Sequence, residues 1–388
     1  MFKVALYSLL LIAGMLLALS NLLGAYREWL IFGTMVCLAY IMIEVGLEFF
    51  LDKKRLHSYA KDYGVAITAA TFPWIFCALY FLYLFELPWQ EAFLIGRFAA
   101  PTSAGVLFAM LSAAGLAATW VFKKARILAI FDDLDTILLM IPLQVLFIGL
   151  NWGSLYGLLV IFLLLLLAYR YLHQLKVPST SPALFAYGLV IASLLKLIDT
   201  HLDLHIEVLL PAFALGCILY NPHDPELVKN HQHEHAYLEP EMPLGYRYLD
   251  NVIKSFFMFL VGCSLPAIDY GLLLNGWTLL HVVALTALSN LGKMFPAFCY
   301  RDEAPFRQRL ALSIAMFPRG EVGAGVLLVA SSYGLTGVPL SLAALSLALN
   351  LLLTGFFILA VIRIGGLMAR PPPSHQAEGG GGGKRANR

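Results

Sequence analysis

Three aspartates crowd one apolar stretch: Ala129, Ile130, Phe131, Asp132, Asp133, Leu134, Asp135, Thr136 and Ile137 lie inside a hydrophobic segment predicted over 125–149. An ionised carboxylate in such a setting needs water, a cation or a partner. At about 100° per residue, Asp132 and Asp133 point in neighbouring directions and can line one cavity, whereas Asp135 lies one turn along from Asp132. Burial and mutual repulsion favour the neutral acid, so a proton and a metal cation can compete for the same oxygens. That competition is the elementary chemistry of cation–proton exchange. The plainer reading is a helix start at a membrane surface, its acids complementing the dipole. Against it, Lys123, Lys124 and Arg126 mark that surface a turn or two earlier.

A counter-charge is available in Ser289, Asn290, Leu291, Gly292, Lys293, Met294, because Lys293 also falls inside an apolar span. Snorkelling of its stem to an interface is the alternative. Two further segments read as interrupted helices. Pro101 stands beside Thr102 and Ser103 in one, and Pro318 beside Arg319, Gly320 and Glu321 in the other, the second followed by Val322, Gly323, Ala324 and Gly325. Proline removes a helical hydrogen bond, and unwound backbone within a membrane is tolerated only where it lines a protein cavity. The breaks fall at corresponding places in two groups of three spans of opposite orientation, the pattern of an inverted repeat around a midplane ion site.

The elements that must position these residues are membrane spans. Of 388 residues 60% are hydrophobic and 13% charged, about half the charged share of a soluble domain, and mean hydropathy is +0.79. A water-soluble fold cannot hide so much apolar surface, and nothing in the composition supports nucleic-acid binding. With roughly 20 apolar residues per crossing, the chain parses into about a dozen spans: 4–21, 29–50, 63–85, 91–117, 125–149, 153–172, 183–200, 205–221, 249–268, 272–299, 307–331 and 340–364. The fold class expected is therefore all-α and polytopic. Lys53, Lys54, Arg55 and Lys61, then Lys123, Lys124 and Arg126, then Arg170 and Lys176, then Arg301, Arg307 and Arg309, and finally Arg363 and Arg370 all follow even-numbered spans. By the positive-inside rule both termini are cytoplasmic. The stretch from Val4 to Leu19 is expected to be the first span, not a cleaved signal. The tail from Pro371 has a composition that cannot build a core. Cys37, Cys77, Cys217, Cys263 and Cys299 are scattered singly and read as small buried hydrophobes.

These residues, in this order, resemble the monovalent cation:proton antiporter superfamily, in its branch of prokaryotic sodium/proton and potassium/proton exchangers. The likeness runs from about residue 30 to 364. Gly46, Leu47 and Glu48, followed by Asp52 and Leu56, look like that family's second-helix ending. Thr102 and Ser103 look like its first crossover helix, and Asp132 with Asp133 like its paired-aspartate motif. Pro211, Ala212, Phe213, Ala214, Leu215 and Gly216 are similar to its eighth helix, while Gly292 with Lys293, and Pro318 through Glu321, resemble its tenth and eleventh.

The resemblance implies inverted repeats with two crossed broken helices, arranged as a core that moves in an elevator-like way against a scaffold and dimerisation domain. The corresponding division is 1–62 scaffold, 63–150 first core half, 151–248 linker, scaffold helices and polar loop, 249–271 scaffold helix, 272–366 second core half and 367–388 tail. Carried over by position, Asp133 is the main cation and proton carboxylate. Asp132 pairs with Lys293 when the cation is absent, and Thr102 or Ser103 adds oxygens for a hard cation. Pro101, Pro318, Arg319, Gly320 and Glu321 shape the breaks. The aspartate pair plus lysine resembles the electrogenic subgroup. Nothing here calls for a cofactor or for enzymatic chemistry. The partners implied are protons, Na⁺ or Li⁺ with K⁺ as the alternative, membrane lipid and a second copy of the chain, in the cell (inner) membrane. The usual soluble nucleotide-binding domain does not follow the last span, which points away from a ligand-gated potassium system. Asp135 departs from the family pattern, where an apolar residue is usual. It reads equally as a third ligand, a second partner for Lys293 or a residue facing the scaffold.

Other marked residues discriminate less. His231, His233 and His235 alternate in the polar loop 222–248, spaced as metal ligands or a pH sensor would be, though a solvated loop explains them as well. Lys196 and Asp199 can form a buried pair or mark an outer end, and Glu44 and Glu48 can face a domain interface. Competing functions are a sodium-coupled organic-anion symporter of related fold, which needs a roomy polar pocket, and a non-transporting membrane sensor or scaffold.

Overall fold

The structure is a computed structural model and describes residues 2–18, 26–48, 56–103, 106–108, 111, 116, 119–148, 152–172, 174–202, 208–220, 244–264 and 275–365. Apolar runs with no water to bond their amides must satisfy them internally, and nearly every described segment is helical. In chain order the helices are α1 (Phe2–Ala18), α2 (Arg27–Glu48), α3 (Leu56–Leu84), α4 (Trp89–Gly96), α5 (Trp120–Ile148), α6 (Trp152–Arg170), α7 (Ser181–Leu202), α8 (Leu209–Ile218), α9 (Leu244–Ser264), α10 (Gly276–Gly292), α11 (Phe306–Ala315), α12 (Glu321–Ser332) and α13 (Val338–Gly365). Among the described residues the β pairing is limited to an isolated parallel bridge between Leu175 and Leu219. The chain is an all-α polytopic membrane protein. Five described helices are long and apolar enough to cross a membrane by length and composition: α2, α3, α7, α10 and α13.

The helices follow the predicted spans in order, and the departures have local causes. The span predicted over 307–331 splits into α11 and α12 around Pro318. The one predicted over 91–117 leaves α-helix at Gly96, tightens into a 3₁₀ turn over Arg97–Ala99 and loses helical form through Pro101, Thr102 and Ser103. The tenth ends at Gly292, with Lys293 at its C-cap and a 3₁₀ turn over Phe295–Phe298 beyond. The described part of the predicted eighth span holds the ten-residue α8. The polar loop with His231, His233 and His235, the tail, and the side chain of Glu48 lie outside what is described.

Two groups of helices emerge from the packing. In one, α1 packs along α9, α2 along α7, α8 and α9, and α6 along α8; in the other, α3 packs on α4, α5 and α10, and α13 on α10 and α11. α13 also meets α1, and α12 meets α9. Glycine sets two crossings of the first group. A Cβ at Gly46 would stand 2.3 Å from the Phe213 carbonyl and one at Gly216 2.1 Å from that of Ile43; likewise Gly14 meets the Phe259 carbonyl at 2.3 Å and Gly262 that of Leu11 at 2.2 Å. Backbone therefore touches backbone across α2–α8 and α1–α9, as small residues allow between membrane helices. The segment around Gly46 and the one from Pro211 to Gly216, marked separately in the sequence, meet at this crossing.

The second group is fastened at one end. Lys124 Nζ of α5 bonds Asp62 of α3 at 2.8 and 3.1 Å and Glu303 at 3.1 Å, and Lys61 reaches Glu303 at 3.1 Å. Tyr300 donates its hydroxyl to Asp62 Oδ1 at 2.8 Å, and both lysines lie over its ring. Burial, and then the bond to Asp62, hold that hydroxyl far above its ordinary range, so it stays a donor. Burial pushes the Glu303 carboxyl up, but Lys124 and Lys61 outweigh it and leave it below the usual carboxylate range. Tyr300 is held at φ 56°, a left-handed conformation that a bulky residue keeps only when its surroundings over-determine it.

Candidate functional site

The two helix breaks cross. Ser103 N–H donates to the Pro318 carbonyl at 2.8 Å, Thr102 Oγ1 to that of Met316 at 3.1 Å and Arg319 Nε to that of Ala99 at 2.9 Å. Backbone groups orphaned by each break are thus satisfied by the other, which is what permits irregular backbone inside a membrane protein. The approach needs glycine: a Cβ at Gly320 would lie 2.7 Å from Ser103 Oγ, and one at Gly323 3.0 Å from the Phe98 carbonyl.

Arg319 braces the crossing and is fully buried. Beyond the Ala99 carbonyl, its guanidinium bonds Asn290 Oδ1 at 2.7 Å, the Phe317 carbonyl at 2.9 Å and the Ser289 carbonyl at 2.7 Å. Asn350 of α13 accepts from Arg319 N–H at 3.0 Å and donates to the same Asn290 oxygen at 2.9 Å. The rigid fork of donors thus ties α10 to both breaks, and the Arg319 backbone N–H adds α13 through Asn350. Carbonyls left at the C-terminal ends of broken helices carry negative partial charge, and a guanidinium there is favourable.

Against this crossing lies the face of α5 that carries the aspartates. Asp132, Asp133 and Asp135 are all buried. Lys293 Nζ sits 2.6 Å from Asp132 Oδ2, with neither side chain exposed, and Thr102 Oγ1 donates to that same oxygen at 2.7 Å. Oδ1 of Asp132 has no hydrogen-bond partner among the described residues. The residues singled out on spans four, five and ten therefore converge on one carboxylate. Lys293 does not snorkel. Asp133 lies within the electrostatic reach of Lys293. Thr102 and Ser103 part company: Ser103 Oγ turns to Glu321 Oε2 at 3.0 Å, at the start of α12, instead of to the aspartates.

Asp135 lies within the electrostatic reach of Arg97 and Lys293. Its carboxyl is hydrogen-bonded to Tyr63 of α3, and its backbone carbonyl accepts from Arg97 Nη2 at 2.6 Å. Arg97 is completely buried, lies 4.5 Å from the Trp74 ring centroid, and leaves Nε and Nη1 without hydrogen-bond partners among the described residues. Sequence reasoning missed Arg97, Tyr63, Asn290 and Asn350. Only Arg97 carried a signal, as a charge within the fourth predicted span. Lys196 and Asp199 are both exposed, Lys196 over the ring of Phe32, so they are not a buried pair.

Comparison with known proteins bears on the family and the fold. A family model described as sodium/hydrogen exchanger, transmembrane, matches residues 1–370. Among solved structures the chain is similar to the sodium proton antiporter MjNhaP1 from Methanocaldococcus jannaschii at pH 8, with 16% sequence identity, a TM-score of 0.59, and coverage of 93% of this chain and 92% of that one. At that identity the likeness bears on the fold. No curated protein matches.

Proposed function

The chain belongs to the sodium/hydrogen exchanger family, and from that premise we propose that it exchanges protons for Na⁺ or Li⁺, electrogenically, at Asp132 and Asp133. The observation that carries the reading is the single oxygen of Asp132 shared by Lys293 and Thr102 at a helix crossing. A buried ammonium on a buried carboxylate stands where a cation would otherwise be needed. When a cation arrives, it takes Asp133 and Asp132 as charged ligands and the Thr102 hydroxyl as a neutral one, a set of hard oxygens. Asp133 gives up its proton to take the cation, and Lys293, losing its partner Asp132, gives up a second, so two protons leave for one cation. On the return one proton goes to Asp133 and one to Lys293, the cation leaves and the Lys293–Asp132 ion pair reforms. In this reading the group of α3–α5 and α10–α13 carries the site past the group of α1, α2 and α6–α9, with a second copy of the chain bracing the latter and both termini cytoplasmic. K⁺ is the alternative cargo, and sodium-coupled symport of an organic anion the alternative function.

The test is purified protein in liposomes with a pH-sensitive dye trapped inside. Under an imposed pH gradient, addition of Na⁺ or Li⁺ should move protons, faster when the membrane potential favours net charge movement. Unchanged activity in Asp133→Ala would sink the carboxylate mechanism. Cation-driven uptake of an organic anion without proton movement would favour symport.

A further inference from the structure

Where α12 faces α9, one lysine lies among acids from three helices. Lys254, midway along α9, bonds Glu44 Oε2 of α2 at 2.7 Å and Asp250 Oδ1, one turn back, at 3.0 Å. Tyr40 of α2 adds its hydroxyl to the same Asp250 oxygen at 3.4 Å. Their side chains keep 14%, 17% and 19% of their surface open for Lys254, Glu44 and Asp250 respectively, so the cluster is mostly enclosed by the helices around it. Facing it across the seam, Glu321 opens α12, mostly buried and held by Ser103. Glu321 is near enough to interact electrostatically with Lys254, and with Tyr7 of α1.

Besides α9, α12 packs on α13 and on the 3₁₀ turn Arg97–Ala99, so it sides with the second group and the seam divides the two, which gives the lysine two seats. In this conformation it occupies the Glu44–Asp250 seat on its own side. The other seat is Glu321, directly attached to the helix crossing through Ser103. A lysine side chain is a point charge on a flexible four-carbon stem, and charges within a protein interact at an effective dielectric of about 20, strongly enough to bias two conformers. Among the described residues, Glu44, Asp250 and Glu321 all act electrostatically on this one ammonium.

We propose that Lys254 is a positioning residue for the conformational step of exchange, its ammonium passing between the Glu44–Asp250 pair and Glu321 as α12 shifts against α9. The assignment rests on the antiport reading and concerns the rate of the shift, not the binding of the cation. Neutralising Lys254 removes the charge that Glu44, Asp250 and Glu321 have in common. Neutralising Glu321 removes the second seat. Either change slows the same step.

The experiment is a double-mutant cycle on transport in liposomes with Lys254→Gln, Glu321→Gln and the pair together, alongside Lys254→Arg. Gln at 321 keeps an acceptor for Ser103. The expected result is a maximal rate roughly tenfold lower in each single variant, a double variant no slower than the slower single, and a half-saturating cation concentration within about twofold throughout, since coupled groups do not add. Lys254→Arg should retain most of the rate, which a loss through misfolding would not explain. Should Lys254→Gln fail to fold, Glu321→Gln compared with Glu321→Asp carries the same test. Losses that multiply in the double variant, or a changed half-saturation with an unchanged maximal rate, overturn the proposal while leaving antiport intact. A wild-type protein that moves no protons in any cation gradient fails the antiport reading itself, and this one with it.

Discussion

Lys293 Nζ and Asp132 Oδ2 meet at 2.6 Å, 161 residues apart in the chain and both sealed from solvent. Removing one member of such a pair strands the other charge. Lys293→Ala should lower stability by about 3 kcal/mol, read as a fall in melting temperature of the detergent-solubilised protein. Lys293→Met combined with Asp132→Asn should recover much of that loss, because no uncompensated charge remains.

At the carboxylates, Asp133→Asn should weaken cation-driven proton movement roughly a hundredfold, the equivalent of about 3 kcal/mol for a lost charged ligand. Thr102→Val removes a neutral oxygen and should raise the half-saturating cation concentration roughly tenfold. Ser103→Ala should leave that concentration closer to wild type, since Ser103 bonds Glu321 and not the aspartates.

Arg319→Lys keeps the charge but cannot reach the Ala99, Ser289 and Asn290 oxygens together. It should destabilise the protein by about 2 kcal/mol, the loss of charged hydrogen bonds to buried acceptors. Parallel thermal melts of the wild type, Arg319→Lys and Arg319→Gln check this, with Gln the worse of the two.

Glu303 gives a pH dependence with a definite sign. Its carboxyl is lowered in the folded protein, so its contribution is fully present above the unfolded value of about 4.3 and is lost as pH falls through the lower folded value. The bridges are part-exposed and worth about 0.5 kcal/mol after solvent screening. Melting temperature should therefore drop more steeply below about pH 5 in wild type than in Glu303→Gln.

What the sequence made legible was what costs most in an apolar setting. Asp132, Asp133 and Lys293 stood out because a charge among hydrophobic residues demands a partner, and Pro101 and Pro318 because proline forbids helix locally. Other features depend on rotations and long-range contacts that a linear pattern does not encode. Thr102 and Ser103 are adjacent and alike, and non-helical backbone has no 100° rule to say which one faces the aspartates. Arg97 passed unnoticed near the start of the fourth span, where an arginine reads as an interfacial residue, although it is buried against Asp135 and Trp74. Asp135 was open in the sequence because its partner Tyr63 is an aromatic residue near the end of a span, a common place for tyrosine that carries no ionic signal.

The glycine crossings bear on which joints in this molecule can slide. At Gly46–Gly216 and Gly14–Gly262 the two helices rest atom on atom, with no side chain between them to act as a bearing. Gly46→Val should cost about 3 kcal/mol through overpacking, measurable as a lowered melting temperature. A displacement of either helix along the other would drive carbonyl oxygens into main-chain atoms within an ångström or two. These joints behave like welded corners of a frame. Slippage belongs at joints where main-chain atoms do not interlock in this way, and the role proposed for Lys254 puts it at the α9–α12 seam.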